Sequence, residues 1–336
     1  MGRAVDKSFR LLGARFLRKH AKRLEAQLEP VCAAEDVEAV HQARVASRRL
    51  RAALEMFADC FSAGHVKRWR KEIRRITRGL GAARDQDVQI LFFAEHLAQL
   101  TDGGQTRGVA TLLGSLERDR ARCQPKVVKV VQRFRRSGAL KEILYVSRAI
   151  CSQAKTKGFD TRSPLAVQRA QECLVERLAE LRAHAVGLDD PGAVEEHHAM
   201  RIAAKGLRYS LEILTPAFPG GLDESIAAVK QLQTFLGEVH DYDVWDRRIA
   251  SFEEKMRRRT VNHFGGDGPF APLEAGLEHL RESCRRRRGK IFDELCRFWT
   301  ARPLGELERL CDGVSPPAED FSAGCQDGRS VCRENG

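Results

Sequence analysis

No run of about eighteen apolar residues interrupts this sequence, so no segment is expected to cross a membrane. The opening stretch MGRAVDKSFRLLGARFLRKH lacks an uninterrupted apolar core and a small-residue cleavage site. That argues against a secretory leader and for a cytoplasmic location. Ten cysteines are present, but no two stand in a Cys-x-x-Cys pair. Zinc-site spacing is therefore missing, and reduced thiols are the expectation. Aromatic residues make up only 7%, which leaves little for the stacking platforms that single-stranded nucleic acids rest on. Apolar–polar alternation of strand type is absent. So are a glycine-rich phosphate loop, a Ser/His/Asp set and a Cys/His nucleophile pair.

What remains is a helical pattern and a great deal of positive charge. Of the 336 residues, 43% are hydrophobic and 31% charged, which suits a globular chain with a real core. The formal net charge is +12, and it is unevenly spread. Residues 1–150 hold 31 Lys+Arg against 16 Asp+Glu, whereas residues 151–336 hold 27 against 30. A field that lopsided favours a polyanionic partner.

The apolar residues recur with helical period, and the expected fold is all-α. Phe9, Leu12, Phe16, Leu24 and Leu28 outline a first amphipathic helix. Others are expected at about 37–60, at about 65–80, and from near Asp85 onward. A stretch at about 108–136 should be kinked or split by Pro125. KTKGFDTRSP (155–164) reads as a linker, with Ser163 as cap and Pro164 as the first residue of a new helix. The segment 313–336 is rich in Gly, Pro, Ser and acid, and reads as a disordered tail.

The chain also repeats itself. HQARVASRRLRAALE (41–55) matches HAMRIAAKGLRYSLE (198–212), pairing His41 with His198, Arg44 with Arg201, Arg48 with Lys205 and Arg51 with Arg208. LGAARDQDV (80–88) matches LGEVHDYDV (236–244). The separation from His41 to Gly81 is 40 residues, and from His198 to Gly237 it is 39. At about 100° per residue, positions 41, 44, 48, 51 and 55 fall within roughly 80° of one another. Leu50, Leu54 and Phe57 lie opposite. Each matched helix thus carries a narrow basic stripe, and Arg49 falls off it.

More stripes follow. Lys67, Lys71, Arg74 and Arg78 share one face of the next helix; its counterpart keeps Lys230 but has Thr234 where Arg78 stands. Arg118, Arg122, Lys126, Lys129, Arg133 and Arg136 form another, and Arg281, Arg285 and Arg288 a shorter one. One such stripe is ordinarily a solvated face. Here the stripes are nearly single-signed, without the Glu–Lys mixing that relieves like-charge crowding at i, i+4. Packed together, they could face a shared groove, and the planar fork of arginine suits phosphate.

The segments VHQARVASRRLRAALEMF, LGAARDQDV, HHAMRIAAKGLRYSLEIL and LGEVHDYDV resemble the CHAD domain, the conserved histidine α-helical domain. The likeness runs over about residues 5–312. It implies a domain at 1–312 made of two helical-bundle halves, about 1–157 and 163–312, related by pseudo-two-fold symmetry around a central basic groove or channel. It further implies binding of inorganic polyphosphate, without catalysis, cofactor or metal. Carried onto this sequence, His41, Arg44, Arg48 and Arg51 line the groove from the first half. His198, Arg201, Lys205 and Arg208 line it from the second. Lys71, Arg74, Arg78 and Lys230 come from the following helices, and the further stripes add Arg118, Arg122, Arg281 and Arg285. Polyphosphate granules and polyphosphate-metabolising proteins are compatible surroundings. Since the second half is less basic, the first is expected to dominate affinity.

Two other readings stay open. The first is a nucleic-acid-binding protein. The second is a metal-dependent phosphohydrolase, because His197, His198, His240, Asp241 and Asp243 look like a His-Asp ligand set; the repeat counts against it, since His240 matches Arg84. Asp85 and Asp241 have simpler roles available. Each lies four residues after a glycine that could end a helix, and could cap the next one or orient groove arginines. His41 and His198 head the stripes, where a polyanion would favour their charged form. Binding is therefore expected to tighten as pH falls from about 8 to 6.

Overall fold

The computed structural model describes residues 6–34 and 36–312, so the tail assignment at 313–336 lies outside the described residues. Eleven α-helices carry these residues, with short 3-10 turns between some of them. They are α1 (Lys7–Ala33), α2 (Val37–Met56), α3 (Ala63–Gly79), α4 (Gly81–Ala98), α5 (Gly103–Ser137), α6 (Ala139–Lys157), α7 (Pro164–Ala183), α8 (Val194–Leu214), α9 (Asp223–Phe264), α10 (Ala271–Thr300) and α11 (Gly305–Cys311). Among the described residues there is no strand, and no helix is long and apolar enough to cross a membrane.

Local chemistry sets the boundaries. The Asp6, Asp36 and Asp102 carboxylates accept from the Phe9, Glu38 and Gly104 amides and so start α1, α2 and α5. Ser163 accepts from the Ala166 amide and Pro164 opens α7, as the linker sequence indicates. Gly138, at φ 70°, turns α5 into α6 within one residue. Pro125 does not split α5, which runs unbroken through it. The carbonyl that loses its bond there belongs to exposed Ala121, where water can serve it.

Two expectations at the repeated LG…D blocks need correction. Asp85 caps nothing, because α4 has already begun at Gly81; Asp241 lies in the interior of α9, which spans 42 residues without a break at Gly237. The two matched stretches therefore differ in helix count. Between α3 and α4 the backbone breaks at Leu80, and in α9 it continues.

The helices bury two cores. The larger joins α1, α2, α3, α6, α7, α8 and α11 with the far half of α5, the start of α9 and the end of α10. Trp69 anchors α3 in it and donates through Nε1 to Glu142 of α6 at 2.6 Å. The smaller core packs α4 and the start of α5 against the middle of α9 and the start of α10, around Phe93, Leu112, Trp245 and Leu277. Phe92 stacks on Trp245 with ring centroids 3.7 Å apart. Glycines let α5 and α10 touch there: a Cβ on Gly108 would lie 2.2 Å from the Leu273 carbonyl oxygen, and one on Gly276 2.1 Å from that of Gln105. Both cores draw on helices before and after the 158–163 loop.

Candidate functional site

α2 packs mainly against α1 and also against α3, α8 and α4, with Leu50, Leu54 and, just past its end, Phe57 fully buried. That pins its opposite face where the basic stripe was placed. Arg51 and Glu55 stand exposed at its end, next to α3. Between them opens a cleft of about 910 Å³. Its walls carry seven cations (Arg51, Lys67, Arg70, Lys71, Arg74, Arg75 and Arg78) against two carboxylates, Glu55 and Asp59. The other lining residues are Ala58, Ala63 and Val66, with no aromatic side chain among them. Arg75 is partly spoken for by Glu72 at 2.8 Å, and Arg70 donates to the Leu54 carbonyl at the end of α2. Partial desolvation of its inner end and the neighbouring Arg74 lower the pKa of Arg51 against the pull of Glu55, although the side chain reaches solvent.

A second cluster forms where α2 meets α8. Arg44, Arg48, Arg201 and Lys205 gather there with Asp85 and Asp241, each acting electrostatically on its neighbours. Arg44 donates to the Thr77 carbonyl at 3.0 Å. In an unbroken helix the Gly81 amide would take that carbonyl, so Arg44 serves the acceptor orphaned by the break. Arg201, its counterpart, lies 3.7 Å from Asp241, and its Nε is buried without a partner among the described residues. Lys205 is only 9% exposed. Burial, then Arg201 and Arg48, push its ammonium down to about 6. Burial also raises the Asp241 carboxyl against the pull of Arg201.

The histidines sit at the edge of this cluster. Burial and Arg84 lower the His41 pKa; burial and Arg201 lower that of His198. His198 Nδ1 and His240 Nδ1 are 3.2 Å apart, so one ring donates and the other accepts. Burial and Arg201 hold His240 down to about 3, which keeps it neutral in the free protein.

The remaining sequence candidates are spread more widely. Arg208 pairs with Glu212 at 3.4 Å. Lys230 is exposed on α9 and does not line the cleft. Arg118 and Arg122 stand exposed on α5, Arg122 with Asp119 at 3.5 Å. Arg281 and Arg285 are occupied by Asp246 of α9, at 3.3 and 3.1 Å. The proposed metal set is likewise dispersed. His197 Nε2 bonds to the Gly187 carbonyl, Asp243 pairs with Arg288 at 2.6 Å, and Asp241 faces Arg201. Among the described residues, no three His, Cys, Asp or Glu side chains form a metal-binding group.

Matched residues make matched contacts. Asp87 pairs with Arg120 at 2.6 Å as Asp243 does with Arg288, and Asp85 acts on Arg44 as Asp241 does on Arg201. A family model, the CHAD domain, matches residues 15–250. The chain belongs to the CHAD domain family. Its fold is similar to the crystal structure of the CHAD domain from the plant Ricinus communis, with a TM-score of 0.61 at 19% identity, covering 90% of this chain and 95% of that one. It is also similar to PptA from Streptomyces chartreusis, with a TM-score of 0.51 at 16% identity, covering 85% and 99%. Among curated proteins none matches.

Sequence reasoning missed two cleft residues of this CHAD domain. Arg70 and Arg75 fall off the α3 stripe, yet both line the cleft. Arg70 had a signal: the unpaired carbonyls at the end of α2 need donors, and α3 begins seven residues later. Arg49, also off the stripe, is a tie between helices; its guanidinium donates twice to Glu212 of α8, at 2.8 and 3.0 Å.

Proposed function

We propose that this CHAD domain binds inorganic polyphosphate without chemical turnover. The observation that carries the reading is the α2–α3 cleft, with seven cations, two carboxylates and no aromatic ring. A linear polyphosphate has a negative charge at every repeat and no base to stack. Guanidinium forks can hold its oxygens in pairs, and each phosphate neutralised releases counterions. Single-stranded nucleic acid would instead want aromatic platforms. The α2–α8 cluster supports the same reading, since among the described residues the carboxylates acting on Arg44, Arg201 and Lys205 are Asp85 and Asp241. An anion there would relieve their mutual repulsion. On this reading the two matched stretches contribute from either side of one basic groove, and polyphosphate-handling proteins and granules are the natural surroundings.

One experiment separates the alternatives. Binding of long-chain polyphosphate, duplex DNA and RNA is measured at physiological salt, and each mixture is assayed for phosphate release with and without divalent metal. Polyphosphate is expected to bind most tightly and to remain intact. Preference for a nucleic acid would overturn the reading in favour of a nucleic-acid-binding protein, and metal-dependent release in favour of a phosphohydrolase.

A further inference from the structure

Six cations on one face of α5, Arg118, Arg122, Lys126, Lys129, Arg133 and Arg136, fall within about 80° of one another, and all are exposed. Among the described residues, the carboxylate paired with any of them is Asp119, on Arg122. Eighteen residues separate the first from the last, so the ridge is about 27 Å long. A single-signed ridge of this length on a surface helix is mildly unfavourable by itself.

The ridge does not stand apart from the cleft. α3 lies between α2 and α5 and packs on both. It runs antiparallel to α5: Arg68, near its start, donates to the Ser137 carbonyl at the end of α5, and Gly79, at its end, meets Val130. The approach is close, because a Cβ on Gly79 would fall 2.5 Å from Val130 Cγ1. With about 100° per residue, this contact fixes the rotation of both helices. Trp69 and Ile73 on α3, and Val127 and Val131 on α5, point to the core side of the contact, where all four are buried. Lys71, Arg74 and Arg78, and Lys126, Lys129 and Arg133, fall together on the solvent side. The cleft wall therefore continues over α3 onto α5 as one basic surface.

We infer that the α5 ridge is a second track for the same polyanion, engaged by a polyphosphate chain that outruns the cleft and so making affinity depend on chain length. This rests on the polyphosphate reading above. A short oligophosphate satisfies the cleft and gains nothing from α5. A long chain lies along the ridge as well, adding counterion release in proportion to the phosphates it neutralises.

The test compares tripolyphosphate with long-chain polyphosphate on the full chain carrying Lys126→Gln, Lys129→Gln and Arg133→Gln. A charge-matched control carries Arg148→Gln, Lys155→Gln and Lys157→Gln on exposed sites of α6. The ridge variant is expected to keep wild-type affinity for tripolyphosphate within about twofold. It should lose about tenfold or more for the long chain, with a log–log salt slope smaller by about two. The control should change neither ligand by more than about twofold. Equal losses for both lengths, an unchanged long-chain affinity, or an equal loss in the control would overturn the ridge. Wild-type protein that binds neither length would instead sink the polyphosphate reading itself.

Discussion

The two matched stretches carry the same stripe, His-Arg-basic-Arg, on α2 and α8, yet hold it in different states. After α2 the chain breaks at Leu80, so α3 is a separate helix with Lys71, Arg74 and Arg78 open to solvent. Arg44 is spent on the Thr77 carbonyl that the break sets free. At the matching position, Leu236, no break occurs. α9 continues, its matching positions carry Lys230 and Thr234, and Arg201 turns to Asp241. Lys205 is buried, whereas its counterpart Arg48 is half-exposed. One motif thus yields an open Coulombic surface in the first stretch and a buried, proton-sensitive cluster in the second. Binding through the first should be governed by salt and through the second by pH.

The largest effect should come from the open side. Arg51→Gln with Arg74→Gln and Arg78→Gln is expected to weaken long-chain polyphosphate about a hundredfold and to reduce the salt slope by about two to three. Lys230→Gln, the remnant of that face in the second stretch, should change affinity less than about twofold. Titrations over a salt series check both. Comparable losses in the two variants would erase the distinction between the stretches.

The buried side should answer to protons. In the free protein Lys205 releases its proton at about 6, against an ordinary value of 10.5. Phosphates beside it favour the ammonium, so the complex holds a proton that the free protein has shed. Affinity should therefore rise as pH falls from about 9 toward 6, by up to about tenfold per unit, and level off below. Lys205→Arg stays charged throughout and should lose this slope while keeping the contact. Calorimetry in buffers of different ionisation enthalpy counts the proton directly; an undiminished slope in Lys205→Arg would place it elsewhere. Without ligand the linkage acts on stability. The unfolded chain keeps the proton that the fold expels, so the free protein should gain stability as pH rises from about 6 to 10. Lys205→Met should raise its Tm.

Helical period located most of the helices, and it placed the stripes on α2, α3 and α8, because an amphipathic helix writes its buried face into the spacing of its apolar residues. It could not show what lies across from a stripe. Arg281 and Arg285 read as free cations until α9 brings Asp246 against them. Arg49, off the stripe, proves to join α2 to α8. The sequence also assigned the pH response to His41 and His198. The structure adds Lys205, whose burial depends on how α2, α8 and α9 pack, and that packing has no signature in a single helix. The Asp85 and Asp241 caps failed for a related reason: Gly-x-x-x-Asp is compatible with a helix stop, but α4 starts at Gly81 itself and α9 never stops.

That last difference supplies the smallest test of the comparison. Gly81 and Gly237 occupy the same place in the repeat, but only one has a reason to be glycine. A Cβ on Gly81 would sit 3.2 Å from Arg44 Nη1, tight against the guanidinium that holds the Thr77 carbonyl. A Cβ on Gly237 would meet nothing within 4 Å beyond its own stretch of helix, and the residue is interior to α9. Alanine is about 1 kcal/mol better than glycine inside a helix. Gly237→Ala should therefore stabilise the protein by about 0.5–1 kcal/mol and leave polyphosphate affinity alone. Gly81→Ala should gain little or lose stability, because the gain in backbone entropy is offset by displacing Arg44, and the arginine's shift should weaken binding slightly. Denaturant melts of the two variants measure the contrast. Equal stabilisation by both would mean that Arg44 yields without cost, and that the break at Leu80 owes nothing to it.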